Sequence, residues 1–321
     1  MSKTKAWIGA MRLRTLPLSF SVIIVGNALA YGYTGALCKS ACNFSWGIFG
    51  LTLLTTLLLQ VLSNLANDYG DAKKGTDNDQ RVGPERAVQS GLISLAEMKR
   101  AVVISSVLTF ISGLFLLFYV FKDSINLSFF ALLILGLLAI AAAIKYTVGK
   151  KAYGYHALGD LFVLIFFGFV GVGGSFYLQT VNIIEEAELW PVLVFGFMMG
   201  ALCTAVLNLN NMRDHLNDAA AGKNTLVVKL GLSKAKVYHF ILFFIFWSPL
   251  LMACIIAMSK GLFEFLGHPA VILTILLLIF HLIHLRKVYF IVEPKDFDPE
   301  LKKIALSSFL FSLFLFSTYL S

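Results

Sequence analysis

The fold is decided by the stretch "WGIFGLTLLTTLLLQVLSNLANDYGDAKKG" (Trp46–Gly75). Its first two thirds are mostly apolar, and apolar runs of about 18 residues or more are typical of helices that span a membrane. Its last third gathers Asn, Asp and Lys side chains and contains no proline. The stretch therefore predicts a membrane helix that continues into an acidic segment.

The composition of the whole chain agrees with a membrane protein. Of its 321 residues 58% are hydrophobic and 14% are charged, and the mean hydropathy is +0.82. Soluble domains carry roughly a quarter charged residues, so a soluble fold is excluded. We predict an all-α membrane protein that forms a single polytopic domain over residues 1–321. Nine transmembrane helices are expected at 16–37, 46–66, 101–121, 125–144, 157–180, 190–211, 237–258, 269–285 and 304–320.

The distribution of basic residues supports nine spans. Cytoplasmic loops collect Lys and Arg, and of the 26 Lys and Arg residues only Lys39, Lys122 and Lys260 fall outside the loops of one side. This asymmetry predicts a cytoplasmic N-terminus. The net charge of +8 follows from orientation and from attraction to the lipid bilayer. Nucleic-acid binding is not expected, because no basic run is interleaved with aromatic residues in a soluble segment.

Two long loops on the cytoplasmic side, 67–100 and 212–236, each follow an even-numbered span and begin alike. "NDYGD" at 67–71 aligns with "NNMRD" at 210–214, which predicts duplicated helical units with acidic-motif loops. A Ser-x-x-Glu capping box at Ser94–Glu97 predicts the start of a helix inside the first loop.

Each of these segments places one Asn and two Asp on one face of a continuing helix, at i, i+3 or i+4, and i+7. The two stripes are Asn64, Asp68 and Asp71, and Asn211, Asp214 and Asp218. One stripe alone could be a solvated helix end with capping side chains. Two similar stripes on the same side make that reading less favoured. Like charges stacked within a stripe repel, and a bilayer boundary raises the cost, so a positive partner is expected.

Oxygen ligands of this kind favour Mg²⁺, which proteins hold through one or two carboxylates with waters and substrate phosphates completing the shell. Basic residues able to neutralise phosphate oxygens accompany both stripes. They are Lys73, Lys74, Arg81 and Arg86 beside the first, and Arg213 and Lys223 beside the second. The mixture predicts a site for Mg²⁺ and a diphosphate.

Five further polar residues lie within or at the ends of spans. Lys145 and Tyr146 could contact the diphosphate or orient a second substrate, or could anchor the helix at the interface. Asp160, isolated in the fifth span, is expensive in lipid, and a functional or paired role is expected. His281 and His284 are interpreted as core or interfacial histidines.

The two stripes resemble the aspartate-rich motifs of the UbiA superfamily of intramembrane prenyltransferases, in particular its 1,4-dihydroxy-2-naphthoate branch. The first motif, Asn-Asp-x-x-Asp-x-x-x-Gly-x-Asp, is matched by Asn67, Asp68, Asp71, Gly75 and Asp77. The second resembles "NNMRDHLNDAAAGKNTL", where Asn211 stands at a position that is often Asp.

Three other segments carry the resemblance. "MRLRTLPLSF" is similar to the start of the first helix and places Arg14 toward the site. "ERAVQSG" resembles the segment before the third helix and makes Arg86 a diphosphate contact. "GYHALGDLFVLIFFG" resembles the start of the fifth helix, with His156 where the family pattern leads us to expect Arg.

The resemblance implies a bundle around a central cavity that opens toward lipid, with two Mg²⁺ ions holding a polyprenyl diphosphate. Asp68, Asp71, Asp214 and Asp218 would be catalytic. The implied metal ligands are Asn64, Asn67, Asp68, Asp71, Asp77, Asn211, Asp214 and Asp218. The implied diphosphate contacts are Arg14, Lys73, Arg81, Arg86, Lys145 and Lys223. The aromatic acceptor would meet Tyr146, Tyr155, His156 and Asp160.

The implied reaction transfers the polyprenyl group to 1,4-dihydroxy-2-naphthoate with loss of CO₂ and diphosphate and gives demethylmenaquinol. It would take place in a bacterial cytoplasmic membrane, with the site facing the cytoplasm. Another acceptor, such as 4-hydroxybenzoate, stays open. An ion or phosphate transporter is disfavoured, because transporters place ionisable residues near the midplane, whereas these stripes lie at one face.

Overall fold

The computed structural model describes residues 2–37, 44–78, 82–181, 189–259 and 269–320. Within these ranges the chain is built from helices, and nine stretches are long and apolar enough to cross a membrane. The α-helices are α1 Lys3–Met11, α2 Leu16–Leu37, α3 Trp46–Lys74, α4 Leu95–Val120, α5 Leu127–Lys145, α6 Gly159–Val163, α7 Gly174–Thr180, α8 Trp190–Ala220, α9 Leu226–Leu230, α10 Leu232–Ser259, α11 Pro269–Phe290 and α12 Phe297–Leu320. The expected all-α bundle with nine spans is confirmed.

The two helices that carry the acidic stripes are long. α3 has 29 residues and α8 has 31, which corresponds to about 44 and 46 Å at 1.5 Å per residue. The hydrocarbon core of a bilayer is about 30 Å thick, so the last turns of both helices extend beyond it. The predicted loops 67–100 and 212–236 are therefore shorter than expected, because helix continues to Lys74 and Ala220 before the chain turns.

α1 and α2 are separated by a break at Arg12. This residue adopts a left-handed conformation with φ of 48°, which non-glycine residues rarely do. A short 3₁₀ turn, Leu13–Thr15, then leads into α2. The break sets α1 against α3.

The fifth span, expected as one helix over 157–180, is interrupted. Between α6 and α7 the chain forms a π-helical segment, Leu164–Gly173, which we call the π segment. It crosses α8 closely, because Gly168 meets Gly196 and Gly200. A Cβ at Gly168 would lie 2.4 Å from the Gly196 carbonyl oxygen. The small residues of "FFGFVGVGGS" thus allow close helix packing.

α8 is largely buried and packs against α2, α10, α12 and the π segment. Its apolar residues form the centre of the largest hydrophobic cluster, together with Phe243 and Phe246 of α10. α4 begins with the predicted capping box, in which Ser94 and Glu97 bond to each other's backbone N–H groups.

The histidines of α11 lie in the core, as expected. His284 contacts Glu300 (2.7 Å, Nδ1 to Oε2) and His239 (3.0 Å between the Nε2 atoms), and all three are buried. Glu300 lies 16 residues beyond His284, so the pairing of α10, α11 and α12 through one carboxylate was not visible from local sequence.

Candidate active site

A cavity of about 430 Å³ lies inside the bundle between α2, α3, α4, α5, the π segment and α8. Most of its wall is apolar, with Leu, Val, Ile and Phe side chains from every one of these elements except the polar ends of α3 and α8. The polar end contains the acidic residues, because α3 and α8 both finish there. The cavity therefore joins an apolar chamber to a charged mouth.

Asp68 lies next to this mouth, in contact with two arginines that line the cavity, but is not itself a lining residue. Its side chain is 1% exposed, and its Oδ1 accepts a hydrogen bond from Arg12. Arg86 Nε lies 3.6 Å from the same oxygen and 3.9 Å from Asp77 Oδ1. The Oδ2 atom of Asp68 is buried and has no hydrogen-bond partner among the described residues. One carboxylate oxygen thus remains for a further ligand.

Asp71, one turn further along α3, is held by uncharged and charged donors. The Tyr155 hydroxyl donates to Asp71 Oδ1 at 2.7 Å and also contacts Thr76 Oγ1 at 2.6 Å. Lys74 lies over the Tyr155 ring, 3.5 Å from its centroid. Burial, together with the neighbouring Asp71 charge, raises the pKa of the Tyr155 phenol. The phenol therefore stays a hydrogen-bond donor at neutral pH.

The second stripe has its own counter-charge. Arg213 makes a two-point contact with Asp214, at 2.9 Å (Nε to Oδ1) and 2.7 Å (Nη2 to Oδ2). Its remaining nitrogen, Nη1, donates to Asp298 Oδ1 at 2.6 Å. Asp298 belongs to the first turn of α12. The orientation of Asp214 is thus set by a helix that carries none of the predicted site residues.

Lys223 brings the two stripes together. Its Nζ lies 3.1 Å from Asp71 Oδ2 and 3.8 Å from Asp218 Oδ1. Burial opposes its charge, yet the Asp71 and Asp218 carboxylates raise the pKa of Lys223 above its ordinary value. Asn217 adds a second link by donating to the Thr76 carbonyl at 2.8 Å. The ends of α3 and α8 therefore form one site.

The asparagines of the stripes also line the cavity. Asn64 donates to the Met11 carbonyl at 2.9 Å and so ties α3 to the break between α1 and α2. Asn67 Oδ1 accepts from the Thr147 hydroxyl at 3.4 Å. Asn211 is 4% exposed. Asn64 and Asn67 thus line the cavity while their amides also bond a backbone carbonyl and a threonine hydroxyl, respectively.

Some predicted site residues do not line the cavity. Lys73, Lys145 and His156 are exposed and Asp68 is buried, and none of the four is among the residues that line the cavity. Lys73 is two residues from Asp71, and residues two apart on a helix do not share a face. His156 instead ends the turn Tyr153–Tyr155, and its backbone pairs with that of Asn224.

The remaining predicted site residues line the cavity, lie beside it or fall outside the described residues. Tyr146 lines the cavity, whereas Tyr155 and Asp160 are buried beside it. Tyr155 reaches the site through Asp71, and Asp160 is paired with Tyr238. Arg81 and the side chain of Arg14 lie outside the described residues.

Sequence reasoning missed four contributors to the site: Arg12, Gln60, Asn217 and Asp298. Gln60 lies on the stripe face of α3, at i−4 from Asn64, so extending the helical period upstream would have found it. Asn217, next to Asp218, had a comparable local signal. Arg12 and Asp298 had none, because their contacts with Asp68 and Arg213 span 56 and 85 residues.

Aromatic side chains extend the wall away from the mouth. The Tyr153 ring stacks on Phe162 with ring centroids 4.0 Å apart, and Tyr146 meets Tyr153 edge to face. All three rings line the cavity. They form a π-rich surface beside the carboxylates, suited to a flat aromatic molecule or to a cationic centre.

The donor set fits a magnesium ion bound together with a phosphate group. Oxygen atoms surround the mouth, and Asp68 Oδ2 is a buried carboxylate oxygen left over by the protein's own hydrogen bonds. Within the described ranges, no three His, Cys, Asp or Glu side chains are grouped as a complete metal cage. Mg²⁺ commonly takes one or two carboxylates and completes its shell with water and substrate phosphates, so the arrangement is compatible.

Comparison with known proteins agrees with this geometry. The model of the UbiA prenyltransferase family matches residues 28–290. The 1,4-dihydroxy-2-naphthoate octaprenyltransferase of Haemophilus influenzae is 47% identical over 240 residues, which cover 75% of this chain and 74% of that protein. The protein of the same name from Escherichia coli is 48% identical over 240 residues, covering 74% and 73%.

The fold also matches solved structures of low sequence identity. A UbiA homologue from Archaeoglobus fulgidus, bound to DMAPP and Mg²⁺, has a TM-score of 0.55 and 17% identity, and the match covers 96% of this chain and 98% of that one. A digeranylgeranylglyceryl phosphate synthase matches with a TM-score of 0.55 and 18% identity, covering 99% of both chains.

Proposed function

This chain belongs to the UbiA prenyltransferase family, and we propose that it transfers a polyprenyl group from a polyprenyl diphosphate to 1,4-dihydroxy-2-naphthoate. Diphosphate and CO₂ leave, and the product is demethylmenaquinol, a precursor of menaquinone. Relatives from Haemophilus influenzae and Escherichia coli that share almost half of their aligned residues with this chain carry the name of this activity.

One structural observation carries the proposal. Two carboxylate stripes meet around Lys223 at the mouth of an apolar cavity. A prenyl diphosphate matches this charged mouth and apolar cavity, because it joins a highly charged head to an apolar tail. The charged head belongs at the mouth and the tail along the apolar wall.

Mg²⁺ would be held by Asp68 and Asp71 on α3 and by Asp214 and Asp218 on α8, and two ions are proposed. Asn64, Asn67, Asp77 and Asn211 are proposed as additional oxygen donors around them. When bound, the metal would draw negative charge from the diphosphate oxygens.

The protein's own cations assist departure of the diphosphate. Arg12, Arg86 and Lys223 lie at the mouth, already oriented by the carboxylates that they contact. Cationic donors fixed where negative charge develops stabilise a transition state without a reorganisation cost. As the allylic C–O bond breaks, the charge that accumulates on the diphosphate lies among these three groups.

The apolar wall protects the reactive carbon. Water would trap an allylic cation, and the chamber beyond the mouth is lined mainly by Leu, Val, Ile and Phe. Exclusion of water also strengthens every charge interaction inside the site. The electron-rich ring of the acceptor, placed against Tyr146, attacks the allylic carbon, and the carboxylate of the acceptor is lost as CO₂.

The tail of a long donor needs an exit. Among the described residues, α5 packs against α3 and α4, and no comparable packing joins it to the π segment, although both line the cavity. The polyprenyl tail would leave through this gap into the bilayer. The mouth lies on the side with most of the Lys and Arg residues. We therefore propose that the protein lies in the inner membrane of a bacterial cell and that the mouth faces the cytoplasm.

Purified protein in lipid nanodiscs, incubated with radiolabelled octaprenyl diphosphate, Mg²⁺ and a panel of aromatic acids, tests the proposal. A prenylated product that lacks the carboxylate is expected only with 1,4-dihydroxy-2-naphthoate. Preferred prenylation of 4-hydroxybenzoate with the carboxylate retained would overturn the acceptor assignment. Absence of any prenylated product would overturn the activity.

A further inference from the structure

Gln60 lines the cavity on the same face of α3 as Asn64, further from the mouth than the carboxylates. It lies eight residues before Asp68, which is about 12 Å along the helix axis. This depth is within the apolar layer, where an amide is costly unless it is hydrogen-bonded. The cost of burying Gln60 at this depth therefore depends on the hydrogen-bond partners of its amide.

The two ends of the amide differ in their bonding. Ser19 Oγ donates to Gln60 Oε1 at 2.7 Å, which fixes the orientation of the side chain. Gln60 Nε2 makes only two 3.4 Å contacts, to Thr15 Oγ1 and Asn64 Oδ1. Good N–H···O hydrogen bonds have donor–acceptor distances of 2.7–3.2 Å. The oxygen is therefore well bonded, whereas the two N–H donors keep most of their capacity.

Three threonine hydroxyls of the wall offer no such donors. The Thr52 and Thr55 hydroxyls, also on α3, donate to helix carbonyls at 2.7 and 2.9 Å. The Thr109 hydroxyl of α4 donates to the Ser105 carbonyl at 2.7 Å. These hydroxyls are satisfied inside their own helices. Gln60 differs, because its oxygen is held by another helix while its nitrogen is available to the cavity.

We propose that Gln60 is an acceptor-binding residue, whose amide N–H donates a hydrogen bond to a ring hydroxyl oxygen of the aromatic acceptor; this rests on the function proposed above. The reacting carbon of the donor is one bond from the diphosphate and hence close to the mouth. The attacked ring must approach that carbon to about 3–3.5 Å. A bicyclic ring placed there extends down the cavity along α3, past Ser63, toward Gln60.

This contact gives selectivity for the dihydroxy ring. An acceptor that lacks the hydroxyl facing Gln60 leaves the amide unpaired in an apolar wall, while the intact acceptor pairs it. One neutral hydrogen bond of this kind corresponds to about a ten-fold difference in apparent affinity. A shape-matched apolar side chain at position 60 would remove that difference.

Gln60→Met removes the amide and keeps the length of the side chain, and it is compared with wild type in nanodiscs. Initial rates are measured with 1,4-dihydroxy-2-naphthoate, and with 1-hydroxy- and 4-hydroxy-2-naphthoate as competitors that each lack one hydroxyl. We expect the KM for the dihydroxy acceptor to rise about ten-fold while the KM for octaprenyl diphosphate is unchanged. Wild type should also bind one competitor about ten-fold more weakly than the substrate. Gln60→Met should bind that competitor and the substrate with equal affinity.

Two further variants separate binding from structure. Gln179→Met makes the same chemical change at an amide that bonds Asn27 and Ser45 outside the cavity, and it should leave the acceptor KM unchanged. Ser19→Ala cuts the link between α2 and α3 but keeps the Gln60 amide, so its effect should be smaller than that of Gln60→Met.

The proposal is overturned if Gln60→Met leaves the acceptor KM unchanged, if it raises both KM values equally, or if Ser19→Ala reproduces its full effect. Each of these outcomes leaves the proposed function intact, provided that wild type forms prenylated product. A wild type that forms no product from the dihydroxy acceptor removes the proposed function and the role of Gln60 with it.

Discussion

Lys223 Nζ lies 3.1 Å from Asp71 Oδ2, although 152 residues separate the two in the chain. The same ammonium group lies 3.8 Å from Asp218 Oδ1. Side-chain exposure at all three groups is low, at 12% or less. One buried cation thus holds together the carboxylates of two helices that are far apart in sequence.

Replacement of Lys223 tests its role at the mouth. Lys223→Met removes a charged contact to the diphosphate, and a charge-assisted hydrogen bond contributes about 1.5–3 kcal/mol, so the KM for the prenyl diphosphate should rise about 10- to 100-fold. The KM for the aromatic acceptor should change little. Lys229→Met, at an exposed lysine of α9, is the matched control. A Lys223→Met enzyme with wild-type donor KM would contradict the assignment.

The stripe carboxylates should be needed for turnover and not for folding. Asp218→Asn keeps the shape of the side chain but removes the charge that would hold the metal, so prenyl transfer should fall at least about 100-fold. The yield and size-exclusion profile of the protein should match wild type. Asp123→Asn, an exposed loop position, serves as the control. Near-normal rates for Asp218→Asn, or for wild type after EDTA treatment, would exclude the metal mechanism.

Asp298 is expected to act through Arg213. Asp298→Asn weakens the hold on Arg213 Nη1, which leaves the two-point contact with Asp214 less well oriented. We expect a several-fold increase in the concentration of Mn²⁺ needed for half-saturation, measured by electron paramagnetic resonance with diphosphate present. Lys302→Met removes only the exposed partner of Asp298, at 2.9 Å, and surface ion pairs contribute little. Equal Mn²⁺ affinity in Asp298→Asn and wild type would rule out this positioning role.

Glu300 should matter for stability. Its side chain is 1% exposed. Glu300 Oε2 accepts a hydrogen bond from His284 Nδ1 at 2.7 Å, and Oε1 lies 2.8 Å from Lys303 Nζ and 2.7 Å from Lys287 Nζ. Glu300→Leu leaves the buried His284 without its hydrogen-bond partner, which costs about 1–3 kcal/mol, whereas the two lysines are half-exposed and can turn to solvent. The melting temperature in detergent should fall clearly. Lys287→Met, at a half-exposed lysine, should have a small effect, and a wild-type melting temperature for Glu300→Leu would refute the prediction.

The crossing of the π segment and α8 depends on the absence of side chains. In Gly168→Ala the new Cβ would meet the Gly196 carbonyl oxygen at 2.4 Å, a backbone atom that cannot move away cheaply. We expect a loss of about 1–3 kcal/mol, seen as a lower melting temperature. Gly50→Ala, a helical position of α3 with nothing within 4 Å of the added Cβ, should be neutral or slightly stabilising. If both variants melted alike, the close crossing would be unimportant.

Much of the fold was predictable because membrane helices have a strong local signal. The long apolar runs gave the nine spans to within several residues, and the capping box at Ser94 marked the start of α4. The π segment was not predictable, because its sequence is as apolar as an α-helix. The duplication of the helical units stays a prediction.

The same distinction between local and long-range signals applies to the residues of the candidate site. Residues at helical spacing from a recognisable Asp, such as Asp71 and Asp218, could be proposed from the sequence because side chains at i, i+4 and i+7 share a face, and both line the cavity. Lys73 and Lys145 were misplaced, because proximity in sequence does not give the direction of a side chain.

The sequence by itself determined a helical membrane protein with two acidic helix ends, because hydrophobic periodicity and helical spacing are properties of neighbouring residues. Only the tertiary structure decided that Arg12 contacts Asp68, that Asp298 orients Arg213 and that Lys223 lies between Asp71 and Asp218. These contacts join residues on different helices, so they depend on how the helices pack. Packing is set by side-chain shape over the whole bundle, and no local pattern encodes it.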